Sequence, residues 1–120
     1  MVRILIIDDN QYLRFTLTAV IEDYGYSTIT AESCKEGLEK IESANPSLII
    51  LDKKLPDGDG IELLKRIKEL EGHKDIPVII LTAYTNESHA QEAIDLGAVA
   101  VFTKPFDNDE IVSIIKKVLS

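Results

Sequence analysis

Short apolar runs alternate with longer amphipathic segments along this chain, and polar side chains interrupt the runs at their carboxyl ends. Val2–Ile7, Ser47–Leu51, Ile76–Leu81 and Val99–Phe102 are four to six residues long and almost wholly apolar, the pattern of strands covered on both faces. Tyr26–Thr30, rich in β-branched residues, predicts another strand. Leu13, Leu17, Val20 and Ile21 recur at helical spacing across about Gln11–Tyr24, and Gly25 is suited to the position just beyond a helix end. Ser33 with Glu36 reads as a capping box opening a helix that runs to about Ser43 and is ended by Asn45-Pro46. Ile61, Leu63, Leu64, Ile67 and Leu70 mark a third helix after the polar turn Lys53–Gly60. Asn86 or Thr85 is placed to cap a fourth, ending at Gly97. Asp107 with Glu110 opens a fifth, with Ile111, Ile114, Ile115 and Val118 inward.

Strands alternating with helices of this length imply right-handed crossovers onto a parallel sheet. The expected architecture is a doubly wound (βα)₅ α/β domain with three helices on one face and two on the other. Such sheets bind ligands at the carboxyl edge of their strands. Asp8 and Asp9 follow Ile4-Leu5-Ile6-Ile7, Asp52 follows Leu48–Leu51, Thr82 follows Val78–Leu81, and Lys104 follows Val99–Thr103. Three carboxylates, a hydroxyl and an ammonium should therefore converge at that edge.

Composition narrows the picture further. A chain of 120 residues with 45% apolar and 28% charged residues suits one domain with a real core, spanning 1–120. The apolar runs are far shorter than a membrane span, and Met1 leads almost directly into the first strand, so no signal peptide is expected. One cysteine, Cys34, fits a reducing cytoplasm. The net charge of −8 without a basic stripe argues against direct nucleic-acid binding; acidity of this size is ordinarily a soluble surface.

Taken singly, each candidate has a plainer reading. Asp8 or Asp9 serves as a helix cap, Asp52 starts a turn, Thr82 reflects β-propensity, and Lys104 is solvated. Two adjacent acids after a buried strand repel each other, however, and a third acid from a neighbouring strand adds to that repulsion. A divalent cation relieves it, and an all-oxygen donor set suits Mg²⁺, with Mn²⁺ as a substitute. A carboxylate nucleophile, a cation, a hydroxyl and an ammonium are together the parts that phosphoryl transfer onto an aspartate needs. The Lys104-Pro105 step is a candidate for a cis peptide. His73, His89 and Cys34 read as surface or packing residues.

Over Val2–Leu119 the chain resembles the receiver domain of two-component response regulators. Ile6-Ile7-Asp8-Asp9, Leu51-Asp52, Leu55-Pro56 to Asp59-Gly60, Leu81-Thr82-Ala83, Gly97-Ala98 and Lys104-Pro105-Phe106 carry the resemblance. It implies a flavodoxin-like sheet of strand order 2-1-3-4-5. Asp52 would be the phosphoacceptor, taking a phosphoryl group from a histidine kinase or histidine phosphotransfer protein and passing the signal to a downstream output protein or domain. Asp8, Asp9, Asp52 and the Lys54 backbone carbonyl would hold Mg²⁺, with Thr82 and Lys104 contacting the phosphoryl group. The domain would also assist hydrolysis of its own acyl phosphate. With no output domain after Ser120, the expectation is either a stand-alone receiver or a fragment of a longer regulator, and the stretch from Leu81-Thr82-Ala83-Tyr84 to Lys104-Pro105-Phe106 resembles both phosphorelay intermediates and receivers of enhancer-binding activators.

Some positions depart from the family pattern. Val101 stands where receivers often carry a gating aromatic, and Phe102 should face the opposite side of the strand. Val99 and Ala100 replace acids of the winged-helix regulators' dimer face. Lys53 and Lys54 follow Asp52 and read as an offset to the acids. Two other classes remain in view. A haloacid dehalogenase-type phosphatase would space its two acids two residues apart on the first strand, whereas Asp8 and Asp9 are adjacent. A flavodoxin-like flavin domain would want a hydroxyl-rich loop in place of Asp9-Asn10-Gln11. Tyr84, two residues beyond Thr82, is placed to shield a phosphoryl group from water. Replacing it with Ala should shorten the acyl-phosphate half-life, and an unchanged half-life would count against the shield.

Overall fold

A computed structural model describes the backbone of residues 2–83 and 87–120 and the side chains of 2–83 and 90–120. Five strands, β1 (Arg3–Ile7), β2 (Ser27–Ala31), β3 (Leu48–Asp52), β4 (Val78–Thr82) and β5 (Ala100–Thr103), form one parallel sheet in the order β2-β1-β3-β4-β5. Helices α1 (Gln11–Asp23), α2 (Cys34–Ala44), α3 (Gly60–Glu69), α4 (Glu87–Asp95) and α5 (Asn108–Leu119) connect or follow them. This is the expected (βα)₅ architecture and order.

The sheet separates two cores. Leu5, Ile7, Ile49, Leu51, Val78 and Ile80 face Ile41 of α2, Leu64 and Ile67 of α3, and Ala93 of α4. Ile4, Ile6, Leu48, Ile50, Ile79 and Leu81 face Leu17 and Ile21 of α1 and Ile111 and Ile115 of α5. Alternate residues of one strand thus serve opposite layers, which is why the central runs had to be apolar at every position. Phe102 and Val101 also divide this way, Phe102 toward the α1/α5 core and Val101 toward the other.

The elements differ from expectation at their ends. β3 includes Asp52 and β4 includes Thr82, because the ladder continues through Lys53 N–H to Leu81 O at 2.8 Å and Lys104 N–H to Thr82 O at 2.8 Å. The polar turn 53–60 contains a hairpin pairing Lys54–Leu55 with Gly58–Asp59, its Leu55 side chain pulled into the core. Ser33 caps α2 through Glu36 N–H at 3.1 Å, while the Glu36 carboxylate accepts from Glu32 N–H instead of closing the box on Ser33. Asp107 caps α5 through Asp109 N–H at 2.8 Å, one residue short of the Glu110 amide that a capping box would use. α1 stops at Tyr24 and α2 at Asn45, whose φ of 45° suits an asparagine. The cap expected at Asn86 or Thr85 lies outside the described residues.

Ile50 is wholly buried in β3, with β1 on one side and β4 on the other. Ile50→Ala should lower unfolding free energy by roughly 2–5 kcal/mol with an unchanged urea m-value. A loss under about 1 kcal/mol would contradict this packing.

Candidate functional site at the carboxyl edge of the sheet

β2 and β3 lie on opposite sides of β1, so the chain winds in opposite senses from it and leaves a crevice beyond the carboxyl ends of β1 and β3. Asp8 and Asp9 leave β1 into that crevice and Asp52 ends β3. Asp8 and Asp52 are buried, at 0% and 6% exposure, while Asp9 is exposed. Each of the three offers a carboxylate oxygen, and these oxygens lie within 4.8 Å of one another. Thr82 is buried at the end of β4. Lys104, following β5, brings its Nζ to 3.2 Å from Asp8 Oδ2 and 3.2 Å from Asp52 Oδ1. A cavity of about 520 Å³ opens here, lined by Asp9, Asp52, Lys54, Thr82, Ala83 and Lys104 among others. All five side chains singled out at strand ends are therefore brought together, and Lys54 borders them. Lys104–Pro105 is a cis peptide.

Electrostatics follow from this crowding. Asp8 tolerates burial because Asn10 N–H donates to its Oδ1 at 2.8 Å while Lys104 donates to Oδ2. Burial pushes the Asp52 carboxyl above its ordinary range and the facing Asp8 charge pushes it further, although Lys104 and the Lys54 N–H pull it back. Burial alone would depress Lys104, but Asp8 and Asp52 outweigh it and hold the ammonium more firmly protonated than usual. The donor set is oxygen-only, negatively charged and partly open to solvent, which fits a hard divalent cation that keeps some of its water.

Sequence reasoning missed several supporting residues. Arg14 Nη1 donates to the Asp8 carbonyl at 2.7 Å, and its Nη2 meets Glu32 Oε1 at 2.9 Å. A cation in the first turns of a helix opposes the macrodipole, and that anomaly was the available signal. Gly60 lies so close to β3 that a methyl group there would overlap the Asp52 carbonyl oxygen and sit 2.9 Å from Lys53 Cα. Asp59 caps α3 through Ile61 N–H at 2.7 Å and faces Lys53 Nζ at 3.9 Å. Asp57 accepts from two backbone amides of α2. His73 sits at the opposite edge of the sheet, its Nδ1 3.2 Å from Asn45 Oδ1. Tyr84 and the His89 side chain lie outside the described residues.

The fold and site define a doubly wound parallel α/β domain with an acidic crevice crossed by one strand-end lysine. The family model of the response regulator receiver domain matches residues 4–116. The chain belongs to this family. It is 43% identical over 117 residues to sporulation initiation phosphotransferase F of Bacillus subtilis, covering 98% of this chain and 93% of that protein. It is 39% identical over 116 residues to the phosphate regulon transcriptional regulatory protein PhoB of Pseudomonas aeruginosa, covering 97% of this chain and 51% of that one. A CheY-like receiver domain protein from Methanospirillum hungatei JF-1 superimposes with a TM-score of 0.91 at 32% identity, covering 99% of this chain and 94% of the other. The chain thus spans nearly all of the sporulation protein but about half of PhoB. It is a phosphorylation-controlled switch of two-component and phosphorelay signalling and not a metabolic enzyme. The phosphatase and flavin readings find no support.

Because the Asp52 carboxyl is raised, its ionised form costs the fold stability at neutral pH without metal. Asp52→Asn should therefore raise the metal-free Tm at pH 7 by roughly 3–5 °C, the equivalent of about 1 kcal/mol. The gain should shrink as pH falls through the folded-state pKa, where Asp52 itself becomes neutral. A variant less stable than wild type at pH 7 would overturn the repulsion argument.

Proposed function

We propose that residues 1–120 form one receiver domain in which Asp52 is the phosphoacceptor. The observation that carries the reading is the Asp52 carboxylate at the mouth of the crevice, flanked by Asp8, Asp9 and the Lys104 ammonium. Its donor is a phosphohistidine, on a histidine kinase or a histidine phosphotransfer protein. An Asp52 oxygen attacks phosphorus, the P–N bond breaks, and the imidazole leaves with the electron pair and is then protonated. The product is an aspartyl phosphate.

Asp8, Asp9, Asp52 and the Lys54 carbonyl are the proposed ligands for Mg²⁺, or Mn²⁺ in its place. Bound there, the ion offsets charge on the transferring phosphoryl oxygens. Lys104 already bridges Asp8 and Asp52 at 3.2 Å to each, so it needs only a small shift to pair with a phosphoryl oxygen. The Thr82 hydroxyl donates to another. Thr82 and Lys104 are joined through the Thr82 carbonyl and Lys104 amide at 2.8 Å, a direct route from the site into the β4–β5 edge. New charge at Asp52 then biases the surface from β4 to α5 between two packings, and a downstream output protein or domain reads it. The domain also assists hydrolysis of its own acyl phosphate. Net charge of −8 supports a role without direct nucleic-acid contact, and no described helix is long and apolar enough to cross a membrane. Cytoplasmic residence belongs to the same reading.

Incubation with acetyl phosphate and Mg²⁺ should add one base-labile phosphate to the intact mass, absent in Asp52→Ala and without Mg²⁺. Lys104→Ala should slow the addition roughly tenfold to a hundredfold. Phosphate gain that persists in Asp52→Ala, or none in wild type, would sink the assignment.

A further inference from the structure

The hairpin after Asp52 is a two-residue ladder, Lys54 with Asp59 and Leu55 with Gly58, too short to hold its own shape. Its base is fixed: Gly60 N–H reaches Lys53 O at 2.6 Å and Leu55 is buried. Its tip, Pro56 and Asp57, is exposed, so burial does not anchor it. Yet the Asp57 carboxylate reaches across to α2, accepting from Cys34 N–H at 2.8 Å through Oδ1 and from Lys35 N–H at 3.0 Å through Oδ2.

The receiving end is anchored at two points. Ser33 caps the same helix at Glu36 N–H, and α2 packs on β1 closely enough that a methyl group at Gly37 would come 2.7 Å from Ile7 Cδ1. Cys34 Sγ also lies where it would touch any side chain added at Gly58. Two charge-assisted bonds at a helix N-terminus are favourable, and the two amides hold the Asp57 carboxyl below its usual range.

The geometry points to Asp57 as a positioning residue that clamps the tip of this hairpin to α2 and so presets Lys54 beside Asp52 for the cation. This rests on the proposed Mg²⁺ site, to which Lys54 contributes its carbonyl. Lys54 is the link: it follows Asp52 by two residues, and its partner across the ladder, Asp59, is two residues from Asp57. Releasing the tip lets Lys54 swing, and a ligand that must be ordered on binding weakens affinity.

A helix cap with no role at the site would lower stability only, and Ser33→Ala supplies that comparison because Ser33 caps α2 without touching the hairpin. Mg²⁺ titration by calorimetry, well below Tm, should show Asp57→Ala binding roughly tenfold more weakly, with Ser33→Ala close to wild type. Asp57→Asn keeps one acceptor oxygen and should fall between, and it carries the test if Asp57→Ala does not fold. Amide hydrogen exchange at Lys54 and Leu55 should quicken in the Asp57 variants alone. Affinity of Asp57→Ala within about twofold of wild type, or an equal loss in Ser33→Ala, would overturn the clamp. If wild type itself binds no Mg²⁺, the functional reading falls and the clamp with it. Normal wild-type binding and phosphorylation with an unaffected Asp57→Ala would overturn the clamp alone.

Discussion

The crowding of two buried carboxylates, Asp8 and Asp52, beside the exposed Asp9 in a crevice partly open to solvent is the constraint to which the rest of this structure answers. Asp8 is fully buried, and an amide and the Lys104 ammonium satisfy its two oxygens. Asp52 shares that same ammonium, and its carboxyl stays raised. Compensation is thus incomplete, and the remaining imbalance makes the crevice receptive to a divalent cation. It also makes the crevice responsive: a group whose charge is only partly balanced changes its surroundings most when charge is added.

Such an arrangement needs a frame that resists the repulsion, and the parallel sheet supplies it. Asp52 and Thr82 are still within the ladder, so their backbones cannot retreat. Lys104 is tied to Thr82 through the backbone, its amide donating to the Thr82 carbonyl at 2.8 Å. The fully buried residues of both cores behind these strands are aliphatic, and such cores yield by discrete repacking. A switch requires this combination of a stiff frame and one poorly balanced charge cluster.

Around the cluster, further contacts set the backbone rather than the chemistry. Arg14 holds the Asp8 carbonyl from α1, Gly60 lets α3 begin against the Asp52 carbonyl, and Asp57 ties the hairpin to α2. These contacts link the site to α1, α3 and α2, helices on both faces of the sheet. The relatives differ in length while the matched region stays at 117 and 116 residues.

Much of this was legible before any coordinates. Unbroken apolar runs such as Leu48–Leu51 must be covered on both faces, which dictates a parallel sheet between helical layers, and polar residues at the run ends must then share one edge. The acids, Thr82 and Lys104 followed from that geometry alone. The hairpin within 53–60 was not legible, because two-residue strands leave no periodicity. Nor were the partners of Glu36, Arg14 and Asp57, since a polar side chain reads the same whether it bonds its own segment or, as Asp57 does, a helix 22 or 23 residues away. Local pattern decides which face of an element is apolar, because burial is a property each residue carries with it. Pairing across the sheet edge is decided only when the chain closes, because a hydrogen bond or ion pair depends on where its second partner lies.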